Sequence, residues 1–335
     1  MLSKNSFVLC SIIITHHKRI DLLRQQLSAY AEWLREDKFY EFIVVDNSDL
    51  EERDQNLLKN DFPWVSFIFL TKNLGPSQSR NFGIQACNGE LIQFIDDDDL
   101  ITFEKLEFQT RYLSNHPEVD VIVGGTLKVK WSSDMLPVLD ESAIRFPKFE
   151  YVKECNELLD VDGFFQIGAA LFRKDALIKI GGFDENLFMI EDVNLYIRLF
   201  SLGSRIQVIR DSPFGLFWRV HANATSLSHS NQKVFLEGCL VNFMYCINHQ
   251  LLKSEKDYRE VFTGIYNIGK SLYGTKSRMF PKLVDTLAKL NSSQRKNLLP
   301  EDARFSLLIG FELLFNLAYR YRKIKNLRLL TKNEP

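Results

Sequence analysis

Short apolar runs alternate with longer amphipathic segments through the first third of the chain. The runs are apolar without alternation, so both faces must be covered, as in a parallel sheet between helices. The longer segments carry apolar residues at helical spacing, for example Ile20, Leu23 and Leu27. The predicted strands are Val8–Thr15, Phe42–Asp46, Val65–Thr71, Leu91–Ile95 and Val119–Val123, and the predicted helices are Ile20–Leu34 and Pro76–Cys87. This repetition predicts a doubly wound α/β fold with a mainly parallel sheet.

The pattern changes further along the chain. Residues 126–165 lose the alternation, and order returns at Ile167–Phe172 and Lys174–Ile180. A helix is predicted from about Asp192 to Leu202. From about residue 235 the spacing is helical to the end, which predicts a domain boundary there and a helical region over 236–335.

Composition narrows the class of protein. The 335 residues are 45% hydrophobic and 25% charged, which excludes global disorder. Lys and Arg number 42 against 43 Asp and Glu, so nothing in the net charge of −1 attracts nucleic acid. The 5 cysteines form no C-x-x-C pair, and no cleavage site follows the apolar run at Phe7–Ile14. We therefore expect a cytoplasmic protein with reduced thiols.

Four consecutive aspartates, Asp96–Asp99, follow the predicted strand Leu91–Ile95. In a parallel sheet, ligands bind beyond the carboxyl ends of the strands. The chain has no glycine before Gly75, which excludes a glycine-rich phosphate loop after the first strand. Adjacent carboxylates at a strand end suit Mg²⁺ or Mn²⁺. The alternative is an acidic turn in which Asp99 or Thr102 caps the next helix.

Two further positions have both a structural and a chemical interpretation. Glu191 and Asp192 open a predicted helix, where carboxylates favour the helix dipole, and Asp192 is also a candidate general base. His221 follows an apolar segment that has the composition of a strand. It is either an ordinary surface or core histidine or a residue of the same cleft.

Several short motifs occur together in an order that resembles the family-2 glycosyltransferases of GT-A type. The resemblance covers about residues 6 to 230 and rests on these segments: Ser11–Arg19, Val44–Ser48, Asn73–Gly75, Ser79–Asn81 with Gly83, Gly89-Glu90, Ile95–Asp99, Gly181–Glu185, and Glu191-Asp192 with Arg198 and Gly203. It implies a GT-A catalytic domain over 1–235, with a nucleotide-binding half (1–99) and an acceptor half (100–235), followed by a C-terminal helical extension.

The resemblance also implies roles in nucleotide binding. Thr15 and His17 would line the nucleotide pocket, where many relatives have an aromatic residue in place of His17. Asp46 and Asn47 would meet the base, and many relatives have a second aspartate in place of Asn47. Uridine is the expected base, and a thymidine diphosphate donor stays open. Arg80 would either neutralise the diphosphate or brace the sheet.

The remaining implied roles concern the metal and the reaction. Asp98 would be the metal ligand of the D-x-D motif, and Asp96 and Asp97 would hold the ribose or metal-bound waters. His221 would complete the metal shell, and Asp192 would be the general base.

The implied function is metal-dependent, inverting transfer of a sugar from a nucleotide diphosphate sugar, expected to be a UDP-sugar. The acceptor would be a hydroxyl of a saccharide or lipid-linked molecule, in bacterial lipopolysaccharide, capsule or other polysaccharide biosynthesis. A sugar-nucleotide nucleotidyltransferase is one alternative, but residues 15–24 lack the glycine-rich loop that it normally needs. A non-catalytic nucleotide-sugar binding protein is another, and retention of both Asp98 and Asp192 argues against it.

The C-terminal segment has an apolar face and a basic end. The apolar residues are Phe305, Leu308, Ile309, Phe311, Leu314, Phe315 and Ala318. Basic residues without acidic ones follow between Tyr319 and Lys332. One interpretation is peripheral contact with the anionic inner face of the cell membrane. The other is a helix packed on the catalytic domain or on a second copy in a homo-oligomer.

Overall fold

The computed structural model describes residues 9–31, 39–129, 144–160, 162–211, 215–219, 231–291, 294, 297–304, 311 and 315. The chain divides into two compact units, residues 1–226 and 227–335.

The first unit is built on a seven-stranded sheet and a three-stranded sheet. Its strands are β1 (Cys10–His16), β2 (Tyr40–Asp46), β3 (Val65–Phe69), β4 (Leu91–Asp96), β5 (Leu100–Ile101), β6 (Val121–Val123), β7 (Thr126–Val129), β8 (Ala170–Arg173), β9 (Ile206–Val208) and β10 (Leu216–Arg219). Its helices are α1 (Ile20–Tyr30), α2 (Glu52–Asp61), α3 (Gly75–Ala86), α4 (Phe103–Asn115), α5 (Cys155–Leu159), α6 (Lys174–Lys179) and α7 (Glu191–Ser201).

The large sheet has the order β3-β2-β1-β4-β8-β6-β9. The strands β1 to β4 pair in parallel, whereas β8 is antiparallel to both β4 and β6. Strand β1, inside this sheet, is apolar on both faces, and its residues Ile12, Ile13 and Ile14 are all fully buried. The prediction of a mainly parallel α/β sheet is therefore confirmed.

The register of β1 explains why polar residues meet at one edge of this sheet. Thr15 pairs with Asp96 of β4, and His16 pairs with Asp46 of β2. Helix α3 packs closely against β1, because a Cβ atom at Gly83 would lie 2.3 Å from the Ile13 side chain. Only glycine permits that approach, so the match of Gly83 to the family pattern has a packing reason.

The largest differences from the predicted elements lie in the second half of this unit. The predicted strand Ile167–Phe172 begins with a 3-10 turn at Ile167–Ala169, and only Ala170–Arg173 forms a strand. Both Asp192 and Glu191 lie inside the first turn of α7, so that helix starts one residue earlier than predicted. The small sheet, of order β5-β10-β7, contains the predicted strand before His221 as β10.

The second unit is helical where it is described. Its helices are α8 (Gln232–Asn248), α9 (Glu255–Leu272), α10 (Phe280–Ala288) and α11 (Glu301–Arg304). Ser254 caps α9, since its hydroxyl accepts from the Asp257 N–H at 3.1 Å and the Asp257 carboxylate accepts from the Ser254 N–H at 2.9 Å. Among the helices of the described ranges, none combines the length and the apolar character that a bilayer crossing needs.

The predicted amphipathic C-terminal segment falls almost wholly outside the described residues, which include only Phe311 and Phe315 of its apolar face. Both rings are buried in the second unit, and Phe315 contacts Tyr266 of α9 with ring centroids 5.5 Å apart. The expectations of membrane contact and of a homo-oligomer stay predictions.

Candidate active site

The four aspartates after β4, residues 96–99, form a tight turn that we call the acidic turn. The Asp99 N–H donates to the Asp96 carbonyl at 3.2 Å. The buried Gln26 side chain of α1 donates to the carbonyls of both Asp96 and Asp99, at 2.8 and 2.7 Å. Because a neutral amide fixes the backbone of the turn, the carboxylates are left to interact with charged groups.

Asp97 points into the protein. Its carboxylate accepts from Nδ1 of His16 at 2.7 Å and from the His17 N–H at 3.1 Å. The other ring nitrogen of His16 lies 3.7 Å from the Asp46 carboxylate, and all three side chains are fully buried. Burial raises the pKa of Asp46, although hydrogen bonds to Ser48 and the charge of His16 oppose that effect. In the structure these two carboxylates hold the His16 ring in place. The nucleotide contacts expected of Asp46 and Asp97 stay predictions.

The other three carboxylates of the acidic turn offer a possible cation site. Asp96, Asp98 and Asp99 each place a carboxylate oxygen within 4.8 Å of the others. Burial and the charges of Asp98 and Asp96 raise the pKa of Asp99 well above its usual value, while the Arg219 N–H, 2.9 Å from Oδ1, opposes this shift. An all-oxygen donor set of mutually repelling carboxylates fits Mg²⁺ or Mn²⁺.

Three arginines surround the acidic turn. Arg19, just before α1, pairs with both Asp97 and Asp98. Arg80 of α3 donates to Asp96 at 2.9 Å. Arg219 of β10 lies near Asp98 and Asp99, and burial lowers the pKa of its guanidinium. Of these three arginines only Arg80 was predicted as a site residue, because the contacts of Arg19 and Arg219 depend on how distant segments meet.

Arg80 joins the acidic turn to the start of α7. Its second terminal nitrogen donates to Glu191 at 2.7 Å, and the side chain is only 5% exposed. The guanidinium also lies over the ring of Phe183, 5.3 Å from the centroid. These contacts support the bracing interpretation of Arg80. Glu191 was missed as a partner because 111 residues separate it from Arg80 in the chain.

Asp192, the candidate base, follows Glu191 in the first turn of α7. Burial and the neighbouring Glu191 charge raise the pKa of Asp192 to about 7, although the Val193 N–H and Arg80 oppose this effect. A carboxylate that titrates near neutrality is suited to accept a proton in that pH range.

The backbone before Asp192 is strained. Ile190 occupies the N-cap of α7 with φ 62° and ψ 21°, the left-handed region that β-branched residues rarely adopt. Such strain persists only where the surrounding structure enforces it, and it occurs often at functional sites.

Asn81 of α3 holds the turn that leads into this segment. Its side chain accepts from the Phe183 N–H at 2.8 Å and donates to the Phe183 carbonyl at 3.0 Å. Gly182 lies directly against Asn81, since a Cβ there would lie 2.4 Å from Oδ1, and its φ is +72°. Asn81 and Gly182, both part of the motifs quoted above, therefore have a joint positioning role.

The expected nucleotide pocket lies at the ends of β1 and β2. Thr15 donates to the Asp96 carboxylate at 3.0 Å, and Nδ1 of His17 lies 2.8 Å from the Asn47 carbonyl. The Asn47 amide donates to Asn73 at 2.8 Å and accepts from the Leu74 N–H at 2.7 Å. In this structure Asn47 thus holds the loop before α3, and base recognition by its side chain stays a prediction.

The structure brings most of the predicted site residues together. Contacts link Thr15 to Asp96, Asp96 to Arg80, and Arg80 to the segment that carries Asp192. The predicted metal ligand His221 lies outside the described residues.

With this geometry in place, comparison with known proteins identifies the family. A family model described as glycosyl transferase family 2 matches residues 11–181, just over half of the chain. The chain belongs to glycosyl transferase family 2. The match includes the acidic turn and ends before Glu191, so it bears directly on the first half of the site.

The family 2 chain resembles a named glycosyltransferase in sequence. The amylovoran biosynthesis glycosyltransferase AmsE of Erwinia amylovora is 29% identical over 142 residues, which are 42% of this chain and 50% of AmsE. The chain therefore spans about half the length of that relative.

Solved structures of other proteins share the fold. S. aureus TarS 1-349 in complex with UDP-GlcNAc has a TM-score of 0.59 at 16% identity, covering 94% of this chain and 92% of TarS 1-349. The mannosyltransferase PcManGT of Pyrobaculum calidifontis, in complex with GDP-Man and Mn²⁺, has a TM-score of 0.52 at 13% identity, covering 95% and 88%. At these identities the likeness shows the fold alone.

Proposed function

We propose that this family 2 protein is an inverting, metal-dependent glycosyltransferase. It transfers a sugar from a nucleotide diphosphate sugar, a UDP-sugar as the first candidate, to a hydroxyl of a saccharide or lipid-linked acceptor. The observation that carries the proposal is the Arg80 bridge, 2.9 Å from Asp96 and 2.7 Å from Glu191. It places a group of carboxylates suited to a cation beside a segment that carries a carboxylate suited to accept a proton.

Asp98 would hold the metal, together with Asp96, and the three-carboxylate group around them supports this assignment. A divalent ion bound there would supply positive charge that stabilises the departing nucleoside diphosphate. Thr15 and His17, at the end of β1, would contact the nucleotide. The complexes of TarS with UDP-GlcNAc and of PcManGT with GDP-Man and Mn²⁺ support this type of donor and cofactor.

The reaction would be a single displacement. Asp192 takes the proton of the acceptor hydroxyl, whose oxygen forms a bond to the anomeric carbon. The bond from that carbon to the diphosphate oxygen breaks, and its electron pair leaves with the nucleoside diphosphate. Attack opposite to the leaving group inverts the configuration, so an α-linked donor gives a β-glycoside.

The acceptor is assigned by class only. AmsE is named for amylovoran biosynthesis, which supports a role for this chain in assembling a bacterial polysaccharide.

Donor binding tests the proposal. We expect one class of nucleotide sugar, from a panel of UDP-, TDP- and GDP-sugars, to raise the melting temperature with Mn²⁺ and not with chelator. Asp98→Ala should remove this metal-dependent stabilisation, while Asp21→Ala, at an exposed aspartate of α1, should retain it. Equal stabilisation with and without chelator in the unaltered protein would contradict metal dependence.

A further inference from the structure

Arg19 has an unusual place for a positive side chain in a site that binds a metal ion. It directly precedes α1, and its two terminal nitrogens contact different carboxylates, those of Asp97 and Asp98. Asp98 is the residue proposed above as the metal ligand. A divalent ion and the Arg19 guanidinium therefore compete for the same carboxylate.

Arg19 and Arg80, which both pair with the acidic turn, differ in their freedom to move. The Arg80 side chain is 5% exposed and held between Asp96 and Glu191. The Arg19 side chain is 40% exposed, and its partner Asp98 is itself 14% exposed. Arg19 can thus leave Asp98 and stay in contact with water, whereas Arg80 cannot leave its partners without stranding a buried charge.

We infer that Arg19 exchanges partners during donor binding, leaving Asp98 to the metal ion and pairing instead with the diphosphate. This inference rests on the proposed function. A guanidinium binds phosphate oxygens with the same forked geometry as carboxylate oxygens, so the exchange keeps the charge of Arg19 paired. Asp97 stays bonded to His16 and to the His17 N–H throughout, so this buried carboxylate keeps two donors.

The exchange predicts that metal and nucleotide help each other to bind. Mn²⁺ alone must displace Arg19 from Asp98 and so remove one of the two carboxylate partners of the guanidinium. A diphosphate offers that guanidinium a new partner, so it lowers the cost of metal binding. By linkage, Mn²⁺ must strengthen diphosphate binding by the same factor.

Binding of Mn²⁺, followed by the electron paramagnetic resonance signal of the free ion, tests the inference with and without UDP. The variants are Arg19→Gln, Arg19→Lys and the control Arg24→Gln. Arg24 lies on α1 and pairs with Asp61 of α2, so its removal also breaks an aspartate pair.

Without UDP, Arg19→Gln should bind Mn²⁺ about tenfold more tightly than the unaltered protein, because the competitor is gone. In Arg19→Gln, UDP should strengthen Mn²⁺ binding by a smaller factor than in the unaltered protein. Arg19→Lys keeps the positive charge but lacks the forked geometry of a guanidinium. Its Mn²⁺ binding should lie between that of Arg19→Gln and that of the unaltered protein. Arg24→Gln should match the unaltered protein.

If Arg19→Gln and Arg19→Lys bind Mn²⁺ with the same affinity as the unaltered protein, or more weakly, the inference is wrong. The proposed function then stays intact. If Mn²⁺ fails to bind the unaltered protein even with UDP, both the inference and the proposed metal dependence are wrong.

Discussion

Asp97, which is fully buried, and Asp192, which is partly buried, are aspartates of the same site with different surroundings. Asp97 is contacted by His16, by the His17 N–H and by Arg19. Asp192 has the N–H of the next residue as its bonded donor and the Glu191 charge beside it. Asp97 is held by donors from three residues, whereas burial and the Glu191 charge raise the pKa of Asp192 to about 7. The same residue type is thus adapted to bind neighbouring groups in one place and to take up a proton in the other.

The largest expected effect comes from removing the proton acceptor. Asp192→Asn should lower kcat by about 100-fold or more, because the amide cannot accept the acceptor's proton. Donor affinity should stay within about twofold, since the acidic turn is unaltered. Steady-state kinetics and isothermal titration with the donor measure the two quantities. Turnover equal to that of the unaltered protein would remove Asp192 from the role of base.

The pH dependence of kcat/KM gives the next largest expected effect. Asp192 must be deprotonated to act, and its pKa is about 7. The rate kcat/KM should therefore fall by about tenfold per pH unit below pH 6 and level off above about pH 8. A profile that stays level between pH 5 and pH 8 would show that no group of this pKa accepts the proton.

A smaller effect is expected from relieving the strain before Asp192. Ile190→Gly removes the cost of the left-handed conformation but loosens the segment that positions Asp192. We expect kcat to fall by about tenfold with an unchanged melting temperature. As the control, Ile180→Gly removes an isoleucine side chain at a residue whose φ is ordinary. An Ile190→Gly variant with normal kcat would show that the strain has no positioning role.

The smallest effect concerns a charge outside the site. Lys105 of α4 is fully buried against Gln93, and burial lowers its pKa to about 7. The unfolded chain keeps this proton up to about pH 10, so the unfolded state binds more protons above pH 7 and stability rises with pH.

Between pH 7 and pH 8.5 this contribution to the free energy of unfolding should grow by about 1 to 2 kcal/mol. Lys105→Met should remove that rise, and Lys72→Met, at an exposed lysine, should retain it. Urea unfolding at several pH values measures both. The Cys10 thiol, with a pKa raised to about 12, acts in the opposite direction only at higher pH. An equal rise in the Lys105→Met variant would assign the pH dependence to other groups.

The strands β1 to β4 and the place of the acidic turn could be predicted from sequence, because continuous apolar runs and a parallel sheet put polar residues at a known edge. The choice between His16 and His17 could not. Both histidines stand at the end of an apolar strand that is buried on both faces. The alternation of apolar and polar residues therefore does not show which ring points inward. The pairings of Arg19 with Asp98 and of Arg80 with Glu191 join residues 79 and 111 positions apart, and no local pattern encodes such contacts.

The location of a bound Mn²⁺ ion decides whether the acidic turn is the metal site. Anomalous diffraction from crystals grown with Mn²⁺ and UDP measures that location without reference to activity. We expect a manganese peak at the acidic turn, bonded to the Asp98 carboxylate, with the diphosphate beside it. A manganese peak away from residues 96–99, with the nucleotide bound elsewhere, would contradict this expectation.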